Sequence, residues 1–331
     1  MRMLMPRHLL ASLSLVLAAG CAGGGGPADT HDRNRTAAEE GPREAAYNAV
    51  PDTPETGRYP AVKEVMPGLP GHVVYRPADI VALGQRKLGV LLWGNGGCRA
   101  DGASARLHLL EIASHGYVAI APGGVRSGPG AEPQVEQPRS GGEGGAFPPV
   151  ETTPEDLLSA LDWILAEDQR PGSLFHGRID RQAVAVAGHS CGGLQAIKVA
   201  ADPRIATAII HNSGVLNPGT PNPITGLSVS KSELGALHQP VLYVLGGESD
   251  IAHPNGMDDF SRIAHVPVAL ADLDVGHGGT FQEPNGGRAA QVAVRWLDWQ
   301  LRGDPEAARW FVGADCTLCT SSEWTYHAKG F

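Results

Sequence analysis

The sequence predicts an α/β protein with a mostly parallel central sheet covered on both faces by helices. Three observations predict it. Short, fully apolar runs recur along the chain, as in Leu88 to Trp93, Ala183 to Ala187 and Val241 to Leu245, which is how strands buried on both faces read. Stretches with apolar residues at helical spacing alternate with these runs. Gly- and Pro-rich turns separate the two kinds of segment, and no internal repeat is visible.

At the N-terminus, Arg2 and Arg7 precede an apolar run from Leu9 to Ala19 that is too short to span a bilayer, so residues 1–20 read as an export signal. The run ends Ala18-Ala19-Gly20-Cys21, which resembles a bacterial lipobox with Ala18 where leucine is usual. Cys21 is then the lipidated residue, a plain cleaved signal being the alternative. Residues 21–58 hold Gly, Pro, Ala and charge with no apolar face and read as a flexible tether. The folded domain is expected over residues 59–331, at the cell envelope on an outer-membrane or cell-surface lipid anchor, or secreted.

Within the domain, His72 to Arg76 alternates like a half-exposed strand. Leu88 to Trp93 is the next strand and runs into Gly94-Asn95-Gly96-Gly97-Cys98, a turn with little side-chain bulk. A helix around Leu107, Leu110 and Ile112 and a strand from Tyr117 to Ala121 follow. Val125 to Val150 is a long Gly/Pro-rich loop of the kind that borders sites. Thr153-Pro154-Glu155-Asp156 starts a helix: a capping hydroxyl, proline at the first helical position, and acids at the positive end of the dipole. Further strands are expected at Ala183 to Ala187, Ile205 to Ile210, Val241 to Leu245 and Val266 to Leu273, with a closing helix from Ala289 to Leu301.

The 331 residues, 42% hydrophobic and 18% charged, suffice for a substantial core. A net charge of −9 without a basic stripe speaks against nucleic acid as a partner. No zinc spacing, Walker motif or Gly-x-Gly-x-x-Gly is present, so neither a metal nor a nucleotide cofactor is expected.

The chemistry concentrates where the Ala183 to Ala187 strand stops at Gly188-His189-Ser190-Cys191-Gly192, with a helical pattern beyond it. Ser190 then sits on a strand-to-helix corner, the context of a nucleophile elbow, with glycines where strand and helix backbones approach. A serine hydroxyl needs a base to take its proton and a carboxylate to orient that base. His277, between Gly276 and Gly278 after the last strand, is the candidate base, and its action requires the neutral ring, so activity should fall towards low pH. Asp250, after Val241 to Leu245 and a Gly turn, is the candidate acid, with Glu248 as competitor. An oxyanion needs two fixed N–H donors, each worth roughly 3 kcal/mol. The amide of Cys191 supplies one and Asn95, with Gly96 second, the other. His189, His211, His253 and Gly96 are candidate pocket residues, surface or packing roles being the alternative for the histidines.

With Cys21 set aside, four cysteines remain to pair in an oxidising compartment. Cys316 and Cys319 would pin the C-terminal tail. If both donor amides face one oxyanion, Cys98 and Cys191 are neighbours, and a disulfide would tie the loop to the corner, two buried thiols being the alternative.

The Trp93 to Gly97 loop, Gly188 to Gly192, Gly246 to Asp250 and Gly276 to Gly278 together resemble the α/β-hydrolase superfamily over about residues 70 to 302. The nearest flavour is similar to secreted esterases with little or no lid: dienelactone-hydrolase-like, chlorophyllase-like and cutinase-like polyester hydrolases. The resemblance implies hydrolysis of a small or polymer-linked carboxylic ester through an acyl-serine, by a monomer. Cutinase-like enzymes usually carry an aromatic residue where Asn95 stands and a tryptophan where Ile210 to Gly214 lies, so polyester ranks below other esters. Acyl transfer or peptide cleavage by the same residues, and a non-catalytic envelope binding protein on this scaffold, are the alternatives.

Overall fold

The computed structural model describes residues 48–131 and 149–331. The segment read as an export signal, Cys21 and most of the stretch read as a tether lie outside the described residues, as does most of the loop expected over 125–150.

Apolar runs that cannot face water on either side become the middle of a sheet. Nine strands form it: β1 (Ala61–Glu64), β2 (His72–Pro77), β3 (Leu88–Gly94), β4 (Tyr117–Pro122), β5 (Ile179–His189), β6 (Thr207–His211), β7 (Val241–Leu245), β8 (Val268–Leu273) and β9 (Trp324–Lys329). Their order is β1-β2-β4-β3-β5-β6-β7-β8-β9. From β4 to β8 all neighbours are parallel, while β1, β2 and β9 run antiparallel at the two edges. The helices are α1 (Arg106–Ser114), α2 (Pro154–Gln169), α3 (Cys191–Val199), α4 (His253–Arg262), α5 (Gly287–Arg302) and the short α6 (Pro305–Ala308). The mostly parallel α/β sheet expected from the sequence is the one observed.

The two-residue period of a strand sorts the core into two layers. Val184 and Val186 of β5 face one layer with Leu157 and Leu161 of α2 and Ile197 of α3. Ala185 and Ala187 face the other, where small side chains leave room for Trp93 and for Trp296 of α5. The start of α2 is capped as its sequence predicts: the Thr153 N–H donates to Asp156 Oδ2 at 2.7 Å.

Four features depart from the sequence reading. β1 is only four residues and half-buried throughout, too short to show a pattern. α4 is rich in Asn, Gly and Asp, poor helix formers. Tertiary contacts hold it: buried Asp259 accepts from the Val215 N–H at 2.8 Å, the Tyr243 hydroxyl at 3.2 Å and Lys231 Nζ at 2.6 Å. The C-terminal tail carries the expected Cys316–Cys319 disulfide, but beyond it β9 pairs along β8 from Lys329 opposite Val268 to Trp324 opposite Leu273. Residues 48–58, read as tether, are bonded to the domain. Asp52 pairs with Arg106 and Lys63, Thr53 bonds to Asn285, and the Gly57 N–H donates to Ser114 Oγ.

Candidate active site

Parallel strands that all end on one edge bring their following loops together there. At that edge β5 stops at His189 and α3 begins at Cys191, leaving Ser190 between them at φ 54°, ψ −120°. A non-glycine residue so placed costs roughly 1–3 kcal/mol and persists because its surroundings fix it. The Ser190 N–H donates to His211 O at 3.0 Å, and Ser190 O accepts from Ser213 Oγ at 2.7 Å. Helix α3 crosses so close to β3 and β5 that a Cβ on Gly188 would fall inside the Gly192 backbone, and one on Gly192 inside Gly94.

Ser190 Oγ lies 2.9 Å from His277 Nε2, and His277 Nδ1 lies 2.6 Å from Asp250 Oδ1. The three side chains come from the corner after β5, the loop after β7 and the loop after β8. Asp250 is 1% exposed, whereas Glu248, its competitor, is exposed. Burial pushes the Asp250 carboxyl up. Hydrogen bonds and charge from His277, with the Ala252 N–H and Asn212, outweigh burial and hold it below its ordinary value. A carboxylate that stays ionised accepts a hydrogen bond from the Nδ1–H, which fixes the tautomer and leaves Nε2 free to accept from the Ser190 hydroxyl.

The candidate donor amides are shaped by the same corner. Among the described residues, the N–H groups of Cys191, Asn95 and Gly96 donate to no protein acceptor. The Asn95 side-chain donors are used in the loop, its Nδ2 donating to Arg99 O at 2.9 Å and Pro122 O at 2.7 Å. Cys98 and Cys191 form the expected disulfide, their Cα atoms 5.3 Å apart, so the loop bearing Asn95 is covalently tied to the first residue of α3. The bridge is buried at both ends. Cys98 O accepts from the amides of Glu151 and Thr152, which braces the loop from a third side.

The histidines divide. His189 borders the site: its Nε2 is 2.8 Å from His277 O, and a Cβ on Gly96 would sit 2.5 Å from its Nδ1. Burial and then the neighbouring His277 lower its pKa to about 4, so the ring is neutral. His211 does not line an open pocket. It is fully buried, packed against Trp93, His108 of α1 and Phe281, and burial drives its pKa well down. His108, buried in the same way, has its pKa lowered to about 3. Among the described residues, the ring nitrogens of both, and Trp93 Nε1, find no hydrogen-bond partner. His253 pairs at 3.0 Å with Asp272 on β8, so its bond is made away from Ser190 and His277.

Two residues escape the sequence reading. Asn212, just past β6, donates to both Asp250 and Gly276 O. Ser213 holds the Ser190 carbonyl. Both lie in a stretch, His211-Asn212-Ser213-Gly214, that reads as an ordinary polar turn, and only the positive φ favoured by asparagine marks it. Among the described residues no group of three or more His, Cys, Asp or Glu could hold a metal ion.

No protein-family model matches the chain, and no curated protein matches it in sequence. Fold and site define an α/β protein with a serine, a histidine and a buried aspartate in one line of hydrogen bonds.

Proposed function

We propose that this chain is an exported serine hydrolase that cleaves carboxylic esters through an acyl-serine intermediate. The observation that carries the reading is the bonded line from Ser190 to His277 to Asp250, together with amides at Cys191 and Asn95 that donate to no acceptor among the described residues. A strand order in which β2 alone of the first strands after β1 runs against β4, with Ser190 on the corner after β5, supports kinship with α/β hydrolases. Two disulfides fit an oxidising compartment, and with the Ala18 to Cys21 motif they support export with a lipid anchor on Cys21.

In this mechanism Ser190 Oγ attacks the ester carbonyl carbon while His277 Nε2 takes its proton. The carbonyl oxygen becomes an oxyanion and receives the N–H groups of Cys191 and Asn95. The C–O bond to the alcohol then breaks, and His277 returns the proton to the leaving alkoxide. Water, deprotonated by His277, attacks the acyl-serine, and the proton goes back to Ser190 as the acid leaves. Asp250 keeps its charge throughout and stabilises the imidazolium.

Hydrolysis of p-nitrophenyl acetate and butyrate tests this. Wild type is expected to turn over, and Ser190→Ala to lose on the order of 10⁴-fold or more. Equal rates in the two would remove Ser190 from the chemistry.

A further inference from the structure

We infer that Asn212 is a positioning residue for the line of Ser190, His277 and Asp250, an inference that rests on the serine-hydrolase reading above. Asn212 follows β6 and is 2% exposed. Its φ of 43° is left-handed, a conformation asparagine tolerates better than most residues with a Cβ. Its N–H is fixed to Val244 O at 2.7 Å, so the side chain starts from a set point. A carboxamide NH₂ carries two hydrogens. Both are used, Nδ2 lying 3.0 Å from Asp250 Oδ2 and 3.1 Å from Gly276 O. One amide therefore joins the ends of β6, β7 and β8, and the last two carry Asp250 and His277. Two glycines leave the slot: a Cβ on Gly246 would lie 2.6 Å from Asn212 Nδ2, and one on Gly279 2.9 Å from Oδ1.

The bonds split Asp250 into two halves. Oδ1 accepts from His277 Nδ1 at 2.6 Å and the Ala252 N–H at 2.8 Å. Oδ2 accepts from Asn212 Nδ2 at 3.0 Å and the Gly246 N–H at 3.2 Å. Asn212 thus supplies the side-chain donor on the oxygen that His277 leaves free. It keeps the carboxylate from rotating and draws charge towards Oδ2. Its second bond steadies Gly276, at φ 75°, next to His277.

Without the amide, the carboxylate charge is less dispersed, and Asp250 holds a proton on His277 more tightly. The neutral ring that accepts from Ser190 is then lost at a higher pH. Among the described residues, the titratable groups in contact with His277 are Asp250 and His189, whose ring centroid is 5.3 Å away and which burial keeps neutral. Asp272 and Asp274, at the end of β8, are engaged by His253, the Gly247 N–H and Ser249.

Two variants test the inference in the full chain. Asn212→Gly keeps the left-handed backbone and deletes the amide, and Asn212→Asp keeps the shape but replaces the donor with an acceptor. For each, kcat for ester hydrolysis is expected to fall on the order of 10- to 100-fold with little change in KM. The acid limb of the kcat profile moves to higher pH, further in Asn212→Asp than in Asn212→Gly. A purely structural role would lower Tm and leave that limb in place. NMR titration of the His277 ring in a Ser190→Ala background reads the same shift without turnover. An unmoved titration in either folded variant overturns the inference. A moved titration in a chain whose wild type cleaves no ester upholds the link from Asn212 to His277 and overturns the hydrolase reading instead.

Discussion

The two disulfides do different physical work. Cys98 and Cys191 are 93 residues apart in sequence and buried, and their bond joins the loop of Asn95 to the start of α3. Cys316 and Cys319 are three apart, the first buried and the second exposed, ahead of a strand held by its own ladder to β8. On the chain-entropy model a crosslink closing the first loop destabilises the unfolded chain by about 4–5 kcal/mol, and one closing the second by about 1–2 kcal/mol. The larger difference lies in position, because the first bridge connects the segments that present both candidate oxyanion amides. A crosslink matters to chemistry when the parts it joins must keep sub-ångström register, and only to stability when they need not.

The sharpest break of that comparison is to remove each bridge in turn. Cys98→Ala with Cys191→Ala is expected to lower kcat on the order of 100-fold, through misplaced donor amides, as well as lowering Tm. Cys316→Ser with Cys319→Ser should leave kcat within about twofold, because the site is untouched. Equal kinetic effects of the two double variants would contradict the division.

A second effect, of smaller size, lies in the histidines His108, His189 and His211. Burial lowers the pKa of His108 to about 3 and of His189 to about 4, and lowers that of His211 well below 6.5. The unfolded chain takes protons on these rings below about pH 6.5 while the folded chain does not, so stability falls as pH drops from there. Each such ring contributes a slope of about 1.4 kcal/mol per pH unit until its folded pKa is reached. Urea unfolding at pH 7 and pH 5 is expected to show this loss, with a smaller slope in His108→Phe. Equal stability at the two pH values would show that these rings are charged or hydrated in the fold.

Much of this was legible before the fold. The strands from β3 to β8 read as apolar runs because both faces are buried there. Ser190, Asp250 and His277 were legible because each follows a strand end in a glycine-containing turn, at the edge where the loops of a parallel sheet gather. The edges were not: β1 is four residues, half-buried throughout and too short to show a pattern, and the signal of Trp324 to Lys329 lay behind a cysteine pair that read as a loop. Asn212 was hidden for a different reason, since its partners lie 38 and 64 residues away and nothing local announces them. His211 was misread because a polar residue at a strand end suggests a pocket. Its neighbours Trp93, His108 and Phe281 instead close over it. The docking of residues 48–58 depends on Arg106 and Glu111 of α1, which their own composition cannot reveal.

The central claim is that Ser190 is a nucleophile activated by His277. A fluorophosphonate reagent followed by peptide mass spectrometry tests it most directly, because it reads covalent chemistry at one atom without needing the natural ester. The expected result is a single adduct on Ser190, formed much more slowly in His277→Ala. Labelling that is absent from Ser190, or unchanged when His277 is removed, would contradict the account.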